Sequence, residues 1–338
     1  MRAITWLGKA QVALQEVPQP QVSDRCTKVK IAYGGICGGD VGIYQGLHPR
    51  AQAPLIMGHE TSGIIAEGHP TLAPGTPVVI NPTISCGECY PCTTGNKHVC
   101  EHLKLYGIDA NGAMADYLTV PHSAIIPVPD GLSLRTAALA EIVAVVVHAI
   151  RESGYVAGDN AVVMGAGPIG LALALALRNF GCASPVVVEV NDTRRAMAVQ
   201  LGFETIDPKA QDVVALIKAK TNGVGADFVF DCAGHQAVAE MLPALVRIKG
   251  TIMVVAMYKT PPTFDLRMGM FKEFQVKFCR VYKEPSFAIA LDLLQREPDF
   301  AQIITHVLNP QQAEKGFDLM LDPNTTALKV LYDFTDEE

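Results

Sequence analysis

Four cysteines crowd into one stretch of this chain, Cys86-x2-Cys89-x2-Cys92-x7-Cys100, all within 15 residues. Four soft ligands with no obvious fifth suit a closed tetrahedral zinc site, structural rather than catalytic. An iron–sulfur cluster also accepts four cysteines and is the alternative. The Gly and Pro turns of NPTISCGECYPCTTGNKHVC suit a loop wrapped around one ion, which favours zinc. His98 and His102 lie nearby and read as solvated loop residues. A second group is more dispersed. Cys37 lies in YGGICGGD, and His59 and Glu60 lie in MGHE, 22 residues later. Cys, His and Glu make a plausible ligand set for a catalytic zinc with one position left open for water or substrate. Their spacing alone does not compel that reading, since a Cys in a Gly-rich turn and a His-Glu pair in a loop are both common.

A third constellation concerns phosphate. Gly165-Ala166-Gly167-Pro168-Ile169-Gly170 fits G-x-G-x-x-G, and it lies between an apolar strand pattern, NAVVMG, and a helical one, LALALALRNFG. That context makes the short motif informative. The first Gly permits the turn, the second lets a pyrophosphate approach the backbone, and the third lets helix pack on strand. The helix N-terminus then offers free N–H groups and partial positive charge. Glu189 follows 24 residues after Gly165, where a carboxylate accepts from both ribose hydroxyls and repels a 2′-phosphate. This favours NAD over NADP. Arg194 and Arg195 argue the other way, because an arginine there can hold the phosphate.

These groups need elements to position them. Up to residue 135, short apolar runs broken by turns (TKVKIAYGG, TSGIIAEG, TPVVINP, ADYLTVP) predict an all-β, barrel-like unit. Residues 136–150, TAALAEIVAVVVHAI, predict a buried helix leading into a second unit. There the pattern alternates: strand PVVVEV, helix DTRRAMAVQLG, helix DPKAQDVVALIKAKTNG, strand ADFVFDCAG, helix HQAVAEMLPALVRIKG, strand TIMVVAMY. That order implies an α/β domain, a doubly wound open parallel sheet with helices on both faces. SFAIALDLLQRE reads as helix, and the last 35 residues or so as short strands rejoining the first unit.

The chain has 338 residues, enough for two domains at roughly 150 residues each. It is 49% hydrophobic and 18% charged, which excludes a largely disordered chain. A net charge of −7, from 27 Lys+Arg against 34 Asp+Glu, argues against a nucleic-acid partner. Residues 161–177 are 17 uncharged residues, short of the roughly 20 a membrane span needs, and they contain Pro168 and three glycines. No signal-peptide core opens the sequence, and nine cysteines, four of them clustered, read as metal ligands before disulfides, so a cytoplasmic location is expected.

Taken in order, Cys37, GHE with Gly63 after it, the four cysteines, an apolar helix and GAGPIG resemble the zinc-dependent medium-chain dehydrogenase/reductase superfamily over essentially the whole chain. The likeness is to its polyol and secondary-alcohol branch of sorbitol, threonine and butanediol dehydrogenases. The resemblance implies a GroES-like β-barrel catalytic domain, 1–146 with 285–338, carrying both zinc sites. It also implies a Rossmann domain, 147–284, and a cleft between the two. It matches Cys37, His59 and Glu60 to the catalytic zinc ligands and Glu141 to an acidic position touching the zinc or its water. A Glu in an otherwise apolar helix is costly to bury alone, which independently suggests a cation nearby. His148, on the same helix, reads as a packed, hydrogen-bonded residue. Arg280, in FCRVY, matches an arginine near the nicotinamide and the zinc water.

The implied reaction is reversible oxidation of a secondary alcohol, in a polyol or sugar-like substrate, with hydride passing to NAD. Two zinc ions per chain and a homo-oligomer, dimer or tetramer, are implied as well. The branch usually carries Ser or Thr, and often His, at positions that are here Gly39 and Gly42. A proton relay would then run through water and Glu60, Glu141 or His48, or the substrate would supply its own hydroxyls. The competing readings are an NADPH-dependent aldehyde or ketone reductase and a catalytically silent cofactor-binding homologue.

Overall fold

The computed structural model describes residues 1–322 and 324–335; residue 323 and the last three residues of the expected catalytic domain lie outside the described residues. The chain divides into two compact units. One is Met1–Ile142 with Lys283–Glu338, and the other is Val143–Tyr282.

The first unit is built on a seven-stranded sheet. Its path runs Ile125–Pro127, Pro77–Ile80, Glu60–Glu67, Cys26–Gly35, Lys329–Asp333 and Ile304–Leu308, with Tyr117–Pro121 also paired to Cys26–Gly35. Cys26–Gly35 is the hub. Its near-alternating burial suits a strand with one face on the core. It pairs antiparallel with Glu60–Glu67, setting Gly35 opposite Glu60, and antiparallel with Lys329–Asp333, setting Gly35 opposite Leu331. The C-terminal strand therefore lies against the segment that leads into Cys37. Gly35 is required by this crowding, because a Cβ there would fall 2.5 Å from the Glu60 Oε2 atom.

The end of the chain is not all strand, as its sequence suggested. A helix, Ala313–Leu321, separates the last two strands. Its Phe317 is buried and stacks on Tyr44 at 4.8 Å, so packing decides a segment whose composition is ambiguous.

The second unit is a six-stranded, wholly parallel sheet. Its order is Glu204–Ile206, Val186–Val188, Ala161–Met164, Ala226–Asp231, Val246–Val254, Gln275–Phe278. The order reverses between Ala161–Met164 and Ala226–Asp231, which makes that pair the switch point where open α/β sheets bind ligands. The uncharged stretch resolves into the strand Ala161–Met164, a turn and the helix Pro168–Asn179, whose residues Leu171 to Leu177 are all buried. Among the described residues no helix is long and apolar enough to cross a membrane.

Two expectations are corrected here. The helix expected over 235–250 ends at Leu245, and the next strand already begins at Val246. Pro243 lies in its last turn, and the Lys272 ammonium donates to the Pro243, Ala244 and Val246 carbonyls, closing the helix end. The strand Glu204–Ile206 was not expected at all. It is only three residues long, too short for a period-two pattern, and exists by pairing with Val186–Val188.

Candidate metal and dinucleotide sites

Cys37 is the N-cap of the short helix Gly38–Tyr44. Asp40, in its first turn, accepts the Cys37 N–H through Oδ2 at 2.9 Å and fixes that corner. His59 and Glu60 arrive from the facing strand. Ligand atoms of Cys37, His59 and Glu60 all lie within 4.8 Å of one another, a grouping that could hold one metal ion. His59 Nδ1 faces the other Asp40 oxygen, Oδ1, at 3.7 Å, and among the described residues neither atom has a hydrogen-bond partner. A carboxylate behind a histidine is the usual arrangement for orienting a metal-ligating ring.

The charges here are strongly coupled. Asp40 is fully buried, and desolvation raises its carboxyl above the ordinary range, with the His59 charge opposing. Burial pushes His59 the other way, but Asp40, Cys37 and Glu141 together hold it well above its ordinary value. This is a pocket that calls for positive charge.

The structure supplies a cation that sequence reasoning missed. Lys329, 2% exposed, donates to both oxygens of Glu60, which is 1% exposed, at 2.8 and 2.5 Å, and to the Ile36 carbonyl at 2.9 Å. Burial disfavours the ammonium, yet Glu60 and Cys37 keep it raised above its ordinary range. One signal was available: Lys329 is the only charge in the apolar run ALKVLY. Asp40, in CGGD, was missed as well.

Glu141 is buried in the first turn of the helix Ala140–Ser153. It acts electrostatically on both His59 and Lys329 but stands outside the three-residue grouping. His148, on the same helix, is packed and 2% exposed. Around Gly39 a Cβ would meet only the Cys37 sulfur, at 4.0 Å, and around Gly42 it would meet nothing. His48 accepts the Arg50 and Ala51 N–H groups on Nδ1, each at 3.3 Å. Its neutral ring therefore carries the proton on Nε2, and burial with Arg50 nearby lowers its pKa. That arrangement makes His48 a donor and a poor proton acceptor.

The four clustered cysteines meet as well. Cys86 lies 4.0 Å from Cys92 and 3.5 Å from Cys100, and Cys89 lies 3.7 Å from Cys100, sulfur to sulfur. Backbone N–H groups of Glu88 and Cys89 hold the Cys86 thiol down to about 6, whereas burial pushes Cys92 up to about 12. Four thiols converging on one point fit a tetrahedral ion. His102 is exposed, as expected, but His98 is half-buried rather than solvated.

In the second unit, Gly167 caps the helix Pro168–Asn179, and a Cβ placed on it would meet nothing within 4 Å, while Gly165 takes φ +100°. A Cβ on Gly170 would strike the Gly165 carbonyl at 1.9 Å. The three glycines thus serve turn, open approach and close packing, and the cradle fits a dinucleotide pyrophosphate. Pro168 and Ile169 open the helix itself. Glu189 follows Val186–Val188 and accepts the Ala166 N–H at 2.6 Å and the Asn191 N–H at 2.8 Å. Arg195 is engaged by the Glu189 carbonyl and by Asp192 and Asp207, while Arg194 is half-exposed. Arg280 is exposed, two residues past the edge strand Gln275–Phe278.

Comparison with known proteins agrees with both units. Residues 23–130 match the alcohol dehydrogenase GroES-like domain, and residues 168–296 match the zinc-binding dehydrogenase domain. The chain is 34% identical to a 2-dehydro-3-deoxy-L-galactonate 5-dehydrogenase of Pseudoalteromonas atlantica, covering 94% of each. It is 32% identical to a sorbitol dehydrogenase of Halalkalibacterium halodurans, covering 96% of each. It is similar to the solved structure of 2R,3R-butanediol dehydrogenase from Bacillus subtilis, with a TM-score of 0.91 and 27% identity over 98% of this chain and 99% of that one. The chain belongs to the zinc-type medium-chain dehydrogenase family, with a GroES-like and a Rossmann domain. It is an alcohol or polyol dehydrogenase that uses zinc and a nicotinamide cofactor.

Proposed function

We propose that the chain reversibly oxidises a secondary alcohol of a polyol or sugar acid with NAD. The observation that carries this reading is the convergence of Cys37, His59 and Glu60, with Asp40 behind the ring. Cys37, His59 and Glu60 hold the catalytic ion, and Glu141 stands ready to orient a bound water or the substrate hydroxyl. Lys329 occupies one side of the Glu60 carboxylate, whose oxygens each keep a second lone pair. Zinc, when bound there, supplies Lewis acidity to the alcohol oxygen, and the nicotinamide takes the hydride. Cys86, Cys89, Cys92 and Cys100 hold a second, structural ion.

Gly165, Gly167 and Gly170 cradle the pyrophosphate, Glu189 accepts from the ribose and disfavours a 2′-phosphate, and Arg280 serves the nicotinamide and the zinc water. The sugar-acid class is favoured by likeness to the galactonate-type relative. Nine free cysteines suit a reducing compartment such as the cytoplasm. The edge strand Gln275–Phe278 is open, and Phe278 on it, with Met270 and Phe271 on the preceding helix Leu266–Lys272, is about two-thirds exposed or more, which suits a homo-oligomer.

The test is metal content and turnover together. The purified protein should hold two zinc ions per chain and oxidise members of a panel of polyols, amino alcohols and sugar acids with NAD. Cys37→Ser or His59→Ala should abolish turnover while NADH still binds. Undiminished turnover in either variant overturns the proposal.

A further inference from the structure

Asp231 ends the strand Ala226–Asp231 at the switch point and is fully buried. Its Oδ1 accepts the N–H groups of Ala233 and Gly234, both at 3.0 Å, which folds residues 232–234 into a tight turn. Its other oxygen, Oδ2, accepts the Tyr258 hydroxyl at 2.5 Å. Its backbone carbonyl accepts from Val255 at 2.9 Å and Ala256 at 3.0 Å. One residue therefore ties together two carboxyl-edge segments, the turn 232–234 and the stretch 255–258.

Those segments touch the dinucleotide cradle. A Cβ on Gly165 would meet Ala233 at 3.3 Å, and one on Gly234 would meet Ala256 at 3.0 Å and the Met257 carbonyl at 3.2 Å. The Cys232 N–H donates to the Met164 carbonyl at 3.0 Å, directly before the first fingerprint glycine. The packing order is thus fingerprint, turn 232–234, stretch 255–258. In a doubly wound sheet each half binds one mononucleotide, and these segments belong to the half that does not carry the Gly-rich turn. Burial and the Asp231 charge keep the Tyr258 phenol protonated far above neutral pH, so it remains a donor.

We infer that Tyr258 is a positioning residue for the cofactor: its hydroxyl, through Asp231, holds the second wall of the switch-point crevice where the nicotinamide half of the dinucleotide lies. The inference rests on the dinucleotide-binding reading above. It assigns Tyr258 no contact with the reacting atoms. Without the hydroxyl, the buried Asp231 Oδ2 loses its donor and the stretch 255–258 loses its tether to the turn.

The test uses the zinc-loaded full chain and two probes, NADH by fluorescence titration and AMP by calorimetry. Tyr258→Phe should weaken NADH about tenfold, the scale of one hydrogen bond to a charged group. AMP, which needs only the adenine half, should bind within twofold of the parent protein. Asp231→Asn should largely preserve NADH binding, because the amide oxygen still accepts the two N–H groups and its NH2 can donate to the Tyr258 oxygen. Asp231→Asn combined with Tyr258→Phe should return to the weak value. Equal weakening of NADH and AMP, or NADH binding unchanged in Tyr258→Phe, overturns the inference. A parent protein that binds no NADH overturns the dinucleotide reading itself, so the two failures are distinct.

Discussion

The Lys329 ammonium lies 2.8 and 2.5 Å from the two carboxylate oxygens of Glu60, although 269 positions separate the residues along the chain. The pair is buried within the seven-stranded sheet, where neither charge can be solvated. Breaking such a pair by removing one partner is far more costly than replacing both.

Lys329→Met should therefore lower the unfolding free energy of the zinc-stripped protein by about 3–5 kcal/mol. Glu60→Gln added to it should recover much of that loss. Urea unfolding measures both, and a loss within the ordinary surface-substitution range of about 0.5 kcal/mol would contradict the burial argument.

His59 governs a pH dependence in the same zinc-stripped protein. Its folded pKa lies well above the ordinary 6.5, because Asp40, Cys37 and Glu141 outweigh burial. The folded state thus binds the proton more tightly than the unfolded one. The resulting stability is fully present below 6.5 and is lost as pH rises through the raised folded value. His59→Gln should flatten that decline in melting temperature. Zinc needs the neutral ring, so metal uptake should release protons and tighten with rising pH, which calorimetry in two buffers reads directly.

Gly39 leaves room for a hydroxyl of the kind the family resemblance led one to expect there. Gly39→Ser should fold like the parent, since an added Cβ meets only the Cys37 sulfur at 4.0 Å. If proton removal limits turnover, kcat for alcohol oxidation near pH 7 should rise about tenfold, with the profile extending to lower pH. An unchanged profile would mean that the proton leaves by another route, and the His48 geometry already argues against that ring as its acceptor.

Glu189→Ala should change cofactor choice. The carboxylate also anchors the fingerprint turn through the Ala166 N–H, at 2.6 Å, so both cofactors should weaken. NAD should lose more, because it alone uses the 2′-hydroxyl contact. The ratio of kcat/KM for NAD over NADP should fall about tenfold or more, and a ratio that does not fall would remove Glu189 from the selectivity role.

The sites differ in how far they could be read in advance. The four cysteines and GAGPIG were legible because their partners are local. Cys86 to Cys100 close on one point within a single loop, and Gly165, Gly167 and Gly170 answer to one turn. The alternation of strand and helix was legible too, since parallel strands need long crossovers. Less was visible where packing decides. Leu245 and Val246 look alike in composition, yet a helix ends at one and a strand begins at the other. Ala313–Leu321 is a helix where short strands were expected, because Phe317 finds Tyr44 to pack on.

The order of residues alone named the chemistry on offer: thiols and an imidazole for soft metal, glycines for a phosphate, a carboxylate for a ribose. Those follow from residue type and short spacing, which local backbone geometry reads without help. Which charges share one buried volume follows from the packed fold. Asp40 behind His59, Lys329 against Glu60, and Tyr258 on Asp231 join segments far apart in the chain, brought together by strand register and loop packing. Register is set by how whole faces bury, and no motif of a few residues encodes it.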